Sequence, residues 1–154
     1  MMKATLFIIC GLPASGKTTL ALELVQKHNA ILLSEDEWME GICKSYYNED
    51  YKERIVEFQK QIAERLLRIG TNVVMDGGYW GKEERDGLRE CTKKAYANFE
   101  LHYMRVPLEE LKRRAAERNK SLVEEFQTKM EDLEIAFNAK FQEPDNTENF
   151  IVHT

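Results

Sequence analysis

The sequence predicts an α/β domain built on a parallel sheet, and three observations support this fold class. Short apolar runs alternate with amphipathic segments along the whole chain, which is the pattern of strands joined by crossover helices. A glycine-rich segment follows the first apolar run and precedes the first amphipathic one. The length of 154 residues suits one globular domain, and the sequence shows no repeat or Pro/Gly/Ser-rich linker. We therefore expect residues 1–154 to form a single domain.

The first third of the chain predicts two strands around one helix. The run ATLFIIC at 4–10 is almost entirely apolar, as in a strand that is buried on both faces. Apolar residues recur at helical spacing in 17–28, which predicts an amphipathic helix. The short apolar run AILL at 30–33 predicts the second strand.

The middle of the chain predicts a long helix, a strand and a second helix. Apolar residues recur every three or four positions over 50–69, until Gly70 ends the pattern. The run TNVVM at 71–75 predicts the third strand, and residues 82–96 predict the next helix.

The last third predicts a strand, two helices and a final strand. The fourth strand is predicted at 98–106, and Pro107 then suits the first position of a helix that runs to about Arg118. A further helix is predicted at 121–141, and NFIVH at 149–153 predicts the fifth strand. The apolar stripe of the 121–141 helix consists of Leu122, Phe126, Met130, Leu133 and Phe137.

Composition argues against several classes of partner. The net charge of −5 disfavours broad affinity for nucleic acid, because such binding depends on Lys and Arg, although a local basic site is compatible with it. No apolar run approaches the roughly 18 residues of a membrane span, and the N-terminal run lacks a small-residue cleavage site. Cys10, Cys43 and Cys91 match neither a zinc site nor a redox pair, which predicts free thiols. We expect a cytoplasmic protein, monomeric or homodimeric, that does not act at a membrane.

The segment GLPASGKT, Gly11–Thr18, matches the phosphate-binding pattern G-x-x-x-x-G-K-[ST] at every position. Its glycines permit backbone angles that bring N–H groups against phosphate oxygens, and the positive end of the following helix adds to the attraction. Lys17 is expected to reach the β- and γ-phosphates, and Thr18 to ligate Mg²⁺. The alternative is a glycine-rich turn without a ligand, which the strand–loop–helix context disfavours. The residues expected to bind the nucleotide are Gly11, Leu12, Pro13, Ala14, Ser15, Gly16, Lys17, Thr18, Thr19 and Arg114.

A phosphate-binding loop indicates a nucleotide and not a reaction. The guanine-recognition pattern N-K-x-D is missing, since Asn119-Lys120 is followed by Ser121-Leu122. Ring ATPases and helicases need longer chains with additional motifs. A small phosphotransferase is the class that remains.

Two arginines suggest a lid over the nucleotide. Arg114 and Arg118 are four positions apart, so they project from the same face of a helix. Arginines in a mobile lid at about 112–122 would neutralise the charge that develops during phosphoryl transfer. The alternative is a solvated helix face that carries ion pairs such as Glu110–Arg114, each contributing a few tenths of a kcal/mol.

Four segments resemble those of a known group of enzymes. GLPASGKTTLA, SEDEW, VVMDGGYWGKEERDGLRE and RVPLEELKRRAAERN occur in the order and spacing of the small P-loop kinases of the AAA_33 type, over roughly residues 4–154. These are similar to the kinase domain of phage polynucleotide kinase, to chloramphenicol phosphotransferase and to zeta-toxin kinases.

The resemblance implies a fold, a donor and a set of catalytic residues. The implied fold is the P-loop sandwich, with a five-stranded parallel sheet in the order 2-3-1-4-5, helices on both faces and a helical lid. The implied donor is ATP with Mg²⁺, and the implied acceptor is a hydroxyl. Asp36 takes the position of the base that accepts the hydroxyl proton, and Arg114 and Arg118 take the positions of the lid arginines. Met39 replaces the arginine that holds a substrate phosphate in the phage enzyme, and Glu35 replaces a cation. Both differences count against a phosphorylated polynucleotide as the acceptor.

The segment after the third strand supplies further candidates for the acceptor side. Asp76 falls at the carboxyl end of a parallel strand, where it could hold Mg²⁺, fix the acceptor or only cap a helix. Gly77 and Gly78 would let a substrate approach the backbone. Aromatic residues, Tyr79 among them, are candidates for a wall of the acceptor site or for the core. Arg85 could contact an anionic acceptor or pair with nearby Glu residues.

The acidic triplet in SEDEW divides into structural and chemical residues. Ser34 is predicted to be a helix N-cap, with Glu37 completing the capping box S-x-x-E. Glu35 is expected to face solvent or the helix dipole, which leaves Asp36 as the candidate for the catalytic base. The predicted function is ATP- and Mg²⁺-dependent transfer of the γ-phosphoryl group to a hydroxyl of a small or nucleotide-like molecule. The alternatives are an ATP-binding regulatory switch with weak ATPase activity and a 5′-hydroxyl nucleic-acid kinase.

Overall fold

The strands form one parallel sheet in the order β2-β3-β1-β4-β5. The computed structural model describes residues 2–154, and within this range the sheet has five strands. The strands are β1 (Thr5–Cys10), β2 (Ile31–Ser34), β3 (Val73–Gly78), β4 (Asn98–Met104) and β5 (Phe150–His153). Every adjacent pair is parallel. The predicted fold class and strand order are therefore confirmed.

Helices cover both faces of this sheet. They are α1 (Lys17–His28), α2 (Glu35–Cys43), α3 (Glu49–Arg68), α4 (Lys82–Lys94), α5 (Leu108–Asn119) and α6 (Met130–Ile135). A 3₁₀ turn (Glu124–Phe126) precedes α6, and a π-helical turn (Ala136–Lys140) follows it.

Strand β1 is central because its side chains are apolar on both faces. Leu6 and Ile8 belong to a core that includes residues of α3 and α4, whereas Phe7 and Ile9 pack with residues of α1 on the opposite face. A third apolar cluster joins α5 and α6 to Leu12, at the start of the loop after β1. This third cluster holds α5 beside the carboxyl end of the sheet.

The prediction of one continuous helix at 121–141 is wrong. Only short helical pieces form there, and Val123 and Lys129 have extended backbones. The Asn119 side chain accepts from the Thr128 N–H at 2.9 Å and donates to the Thr128 carbonyl at 2.8 Å. These bonds satisfy the backbone of Thr128 outside a helix, so the chain turns back towards α5 and not into a straight helix.

The predicted free thiols are found within the described residues. Cys10, Cys43 and Cys91 are free thiols, with Cys10 and Cys91 buried. None of the helices in residues 2–154 combines the length and the apolar character needed to cross a membrane.

Candidate active site

The loop Gly11–Thr18 joins β1 to α1, and its glycines determine its shape. The Gly11 N–H donates to the Gly78 carbonyl at 3.0 Å, and a Cβ on Gly11 would lie 2.8 Å from Ser15 Oγ. Gly16 has a φ of 96°, in the left-handed region that favours glycine. These two positions allow the loop to turn tightly over the end of the sheet.

The N-terminus of α1 points out of this loop. Helix α1 begins at Lys17, and within residues 2–154 no side chain caps its first turn. Ser15 Oγ is buried and has no hydrogen-bond partner in the same part of the chain. Uncapped N–H groups at the positive end of a helix dipole attract anions, so this loop fits a nucleotide phosphate.

Lys17 lies between the loop and two carboxylates. Its Nζ donates to the Leu12 carbonyl at 2.9 Å. Burial lowers the pKa of Lys17, while the charges of Asp76 and Asp36 act in the opposite direction. The ammonium group is therefore close enough to both carboxylates for their charges to act on it.

Thr18 and Asp76 provide oxygen ligands at the same place. Burial raises the pKa of Asp76, and the charge of Lys17 and a hydrogen bond with Thr18 oppose that rise. Mg²⁺ commonly takes one or two protein oxygens and completes its shell with phosphate oxygens and water. No group of three or more His, Cys, Asp or Glu residues forms a metal site within residues 2–154. The hydroxyl and carboxylate thus fit a Mg²⁺ ion that is shared with a nucleotide.

Strand pairing places Asp36 beside this cluster. Ser34 pairs with Asp76 across β2 and β3, and its Oγ accepts from the Glu37 N–H at 3.2 Å, which caps α2 as predicted. Asp36 lies in the first turn of α2, is exposed, and lines the main crevice of the protein.

The prediction that Glu35 faces solvent is wrong. This residue is only 5% exposed, because the end of β2 directs it under α3. Burial raises the pKa of Glu35 to about 8, and Lys52 of α3, at 3.7 Å, acts in the opposite direction. A Cβ on Gly77 would lie 2.6 Å from Glu35 Oε2, so the absence of a side chain at Gly77 is what makes room for this carboxyl group.

Tyr79 also depends on the space at Gly77. Its Oη lies 2.9 Å from the position that a Gly77 Cβ would occupy, and it has no hydrogen-bond partner within the described residues. The ring is buried, and the Tyr79 backbone has a φ of 48°, a left-handed conformation that is costly for a bulky residue.

Arg85 is not part of the crevice, which corrects its assignment as a candidate acceptor ligand. The side chain is fully buried, with Nε and Nη2 donating to the Glu148 carboxylate at 2.7 and 3.1 Å. Its Nη1 donates to the Tyr79 carbonyl at 2.9 Å. Arg85 therefore holds Tyr79 in its left-handed conformation and has no donor directed at a substrate.

The two tryptophans have different surroundings. Trp80 lines the crevice and donates from Nε1 to the Gly11 carbonyl at 3.1 Å. Trp38 packs against the apolar core on the α3 side of the sheet.

The arginines of α5 line the same crevice as Asp36. Arg114 and Arg118 both lie on its wall. Arg114 Nε also pairs with Glu110 at 2.9 Å, so the ion pair considered as the alternative forms as well. Arg118 Nη2 donates to Thr128 Oγ1 at 2.8 Å, which links it to the segment after α5.

That segment touches the linker between α2 and α3. The rings of Tyr46 and Phe126 lie 4.8 Å apart, and the Tyr47 hydroxyl donates to the Gln127 carbonyl. These contacts bridge the crevice near Asp36, since the charge of Asp36 contributes to raising the pKa of both tyrosines, after burial as the main cause.

The crevice has a volume of about 1150 Å³, more than one small molecule requires. Its loop half is formed by residues 13, 14 and 16–19 with Arg114, Arg118, Asp132 and Lys140. Its α3 half is formed by Glu35, by residues 49, 52, 53, 56, 57 and 60 of α3, and by residues 77–80, 83, 84 and 87. Asp36 and Asp76 lie where the two halves meet. The sequence prediction missed Glu35, Lys52, Glu53 and Lys60 on the α3 half. The spacing of 52, 56 and 60 on one face of α3 was the available signal.

Comparison with solved structures identifies kinases with the same fold. The chain is similar to part of the Pnkp1/Rnl/Hen1 RNA repair complex, at 23% identity and a TM-score of 0.75, covering 88% of this chain and 43% of that one. It is similar to Mycobacterium tuberculosis APS kinase CysC in complex with AMPPNP and APS, at 18% identity, a TM-score of 0.69, and 95% and 86% coverage. A gluconokinase from Sinorhizobium meliloti 1021 matches at 12% identity, with a TM-score of 0.69 and 99% and 83% coverage. This chain thus spans less than half of the RNA repair chain.

These likenesses show the P-loop kinase fold, and the family follows from the sequence match. The AAA_33 family, described as an AAA domain, matches residues 6–144, which include Gly11–Thr18, Asp36, Asp76, Arg114 and Arg118. The chain belongs to the AAA_33 family.

Proposed function

We propose that this protein is an ATP- and Mg²⁺-dependent phosphotransferase that acts on a hydroxyl of a small or nucleotide-like molecule. The observation that carries the proposal is the crevice in which Lys17, Asp36 and Asp76 meet and which the arginines of α5 also line. We propose further that residues 1–154 act as one kinase domain, with a lid at about 112–122. The volume of the crevice, about 1150 Å³, supports binding of a nucleotide together with an acceptor.

The loop half would bind the nucleotide. The backbone N–H groups at the end of the loop and the start of α1, those of Gly16, Lys17 and Thr18, would hold phosphate oxygens, and Lys17 would reach between the β- and γ-phosphates. Thr18 and Asp76 would hold Mg²⁺, which when bound supplies positive charge to the phosphate oxygens. Arg114 and Arg118 would stabilise the charge on the transferred group.

Asp36 would act as the general base. It accepts the proton of the acceptor hydroxyl while the acceptor oxygen forms its bond to the γ-phosphorus. The bond from that phosphorus to the bridging oxygen breaks, and ADP leaves with the electron pair. The position of Asp36, where the two halves meet, suits a base that faces an acceptor on one side and a phosphate on the other.

A label-transfer assay tests the proposal. The protein is incubated with Mg²⁺ and γ-labelled ATP across a panel of hydroxyl compounds, alongside Lys17→Ala and Lys27→Ala. Lys27 is the matched control because it is exposed at the far end of α1. We expect transfer by the wild type and by Lys27→Ala, and a loss of roughly 10²–10³-fold in Lys17→Ala, as for other charged groups that stabilise a transition state. Transfer by Lys17→Ala at the wild-type rate would contradict the proposal.

Two other functions predict different results. The similarity to a chain of an RNA repair complex favours a nucleic-acid 5′-hydroxyl as the second candidate acceptor. That function predicts salt-sensitive oligonucleotide binding and transfer of label to a 5′-hydroxyl oligonucleotide. A regulatory switch predicts nucleotide binding without any acceptor, and partner affinity that differs between ATP and ADP.

A further inference from the structure

The α3 half of the crevice is acidic, in contrast to the loop half. Two of its carboxylates are already paired, Glu35 with Lys52 at 3.7 Å and Glu57 with Lys60 at 3.4 Å. Four more lie on its wall without a cation within 4.0 Å, in the part of the chain that the structure describes. They are Glu49, Glu53, Glu83 and Glu84. A carboxylate or phosphate entering this half would meet uncompensated negative charge, and a cation would neutralise it.

A second observation marks the same half as a binding site. Tyr79 is 1% exposed and lines the crevice, and its Oη has no hydrogen-bond partner within residues 2–154. A buried hydroxyl without a hydrogen-bond partner destabilises the folded protein. The Tyr79 backbone is also held in a left-handed conformation by Arg85. The unpartnered hydroxyl is explained if a ligand supplies the missing hydrogen bond.

Glu35 and Tyr79 converge on one point. Glu35 Oε2 and Tyr79 Oη lie 2.6 and 2.9 Å from the position of a Cβ on Gly77, so the two oxygens are close neighbours beside bare backbone. A hydroxyl group can donate to one of them and accept from the other, which a methyl group or a halide cannot do.

We infer that the acceptor is an amino alcohol. One hydroxyl group of this compound binds between Glu35 and Tyr79, and its ammonium group binds among the free carboxylates of α3 and α4. The inference rests on the proposed phosphotransferase function and specifies its substrate class. It disfavours anionic acceptors, including phosphorylated nucleic acid.

Three compounds that share a vicinal diol and differ in the group on the third carbon test this inference. They are 3-aminopropane-1,2-diol, glycerol and glycerate, which at pH 7 carry one positive charge, no charge and one negative charge. Each is titrated into the full chain with Mg²⁺ and a non-hydrolysable ATP analogue, and binding is followed by the NMR shifts of the Gly77 and Gly78 amides. We expect the aminodiol to bind at least about tenfold more tightly than glycerate, which corresponds to about 1.4 kcal/mol, with glycerol in between.

Charge variants test whether the carboxylates of the α3 half cause the preference for the aminodiol over glycerate. The double variant Glu53→Gln/Glu83→Gln removes two exposed carboxylates of the α3 half, and Glu23→Gln removes an exposed carboxylate of α1 outside the crevice. We expect the double variant to lose most of the preference for the aminodiol over glycerate and Glu23→Gln to keep it. Tyr79→Phe should weaken all three compounds, because the lost hydroxyl contacts their shared diol.

The inference is overturned if glycerate or glycerol binds as tightly as the aminodiol, if none of the three shifts the two amides, or if the double variant keeps the full preference. These outcomes are read without turnover, so they are independent of the label-transfer test. If the aminodiol binds as expected and no label is transferred to any acceptor, the kinase proposal fails and the charge selectivity stands.

Discussion

The two halves of the crevice are built in different ways. The loop half comes mainly from one contiguous segment, Gly11–Thr18, in which backbone N–H groups and a helix terminus would do most of the proposed phosphate binding. The α3 half is assembled from side chains of β2, α3, β3 and α4, which are separated by up to about 50 residues in the chain. The loop half carries the cations Lys17, Arg114, Arg118 and Lys140, whereas the α3 half carries an excess of carboxylates. The proposed recognition of phosphate thus depends on residues that are adjacent in sequence. The proposed recognition of a specific acceptor depends on residues that tertiary packing brings together.

Substituting Asp36 should separate the two halves most clearly. In Asp36→Asn we expect phosphoryl transfer to fall by roughly 10²–10⁴-fold, because the amide cannot accept the hydroxyl proton. Nucleotide affinity, measured by calorimetry, should change little, since the loop half is intact. Glu37→Gln is the matched control, because Glu37 is the next acidic residue and is exposed. Equal transfer rates in Asp36→Asn and wild type would show that another group is the base.

Substituting Arg118 should impair the loop half and leave acceptor binding by the α3 half unchanged. We expect Arg118→Ala to lower the transfer rate by roughly 10²–10³-fold, because a donor to the transferred group is lost. The Michaelis constant for the acceptor should remain near the wild-type value. Arg113→Ala serves as the control, since Arg113 is exposed on the same helix, pairs with Glu110 and does not line the crevice. If Arg118→Ala and Arg113→Ala lose the same activity in steady-state kinetics, the result would favour a purely structural role for this helix face.

The same contrast explains which features were predictable from sequence. The strand order followed from a resemblance, and the loop from a local pattern. Asp36 and Asp76 were candidates because parallel strands end at one edge of the sheet. Each of these signals comes either from a few adjacent residues or from a rule that holds for every parallel sheet of this kind.

The features that were missed depend on distant partners. Arg85 pairs with Glu148, 63 residues away, so no local pattern could separate an ion pair from a substrate ligand. The helix predicted at 121–141 breaks because the side chain of Asn119 takes over the backbone groups of Thr128. Glu35 is buried because α3 covers it, and the burial of a carboxylate cannot be inferred from its neighbours in SEDEW.

Substituting Gly77 should distort the α3 half and weaken acceptor binding, while nucleotide binding by the loop half should remain unchanged. In Gly77→Ala the new methyl group would lie 2.6 Å from Glu35 Oε2 and 2.9 Å from Tyr79 Oη, so both side chains must move. We expect the Michaelis constant for the acceptor to rise and the free energy of unfolding to fall by about 1–3 kcal/mol, as for other overpacked sites. Gly41→Ala is the control, because a Cβ there meets nothing within 4 Å. An unchanged acceptor constant together with lost nucleotide binding would contradict the division into halves.

The last prediction concerns the free-energy cost of keeping Glu35 buried in the α3 half. Burial raises the pKa of Glu35 from 4.5 to about 8, so between these values the folded state keeps a proton that the unfolded state releases. Folding then becomes less favourable as pH rises from about 4.5 to about 8, by up to about 1.4 kcal/mol for each pH unit. In Glu35→Gln this contribution disappears, and we expect the variant to lose less stability than wild type between pH 5 and pH 8 in urea unfolding.

Glu37→Gln provides the control for this last measurement, since Glu37 is exposed and its substitution should leave the pH dependence of wild type intact. Parallel stability curves for Glu35→Gln and wild type would mean that Lys52 fully compensates the buried charge. A flatter curve, combined with weaker binding of the aminodiol, would instead show that the α3 half retains an unfavourable carboxyl group because its ligand needs it.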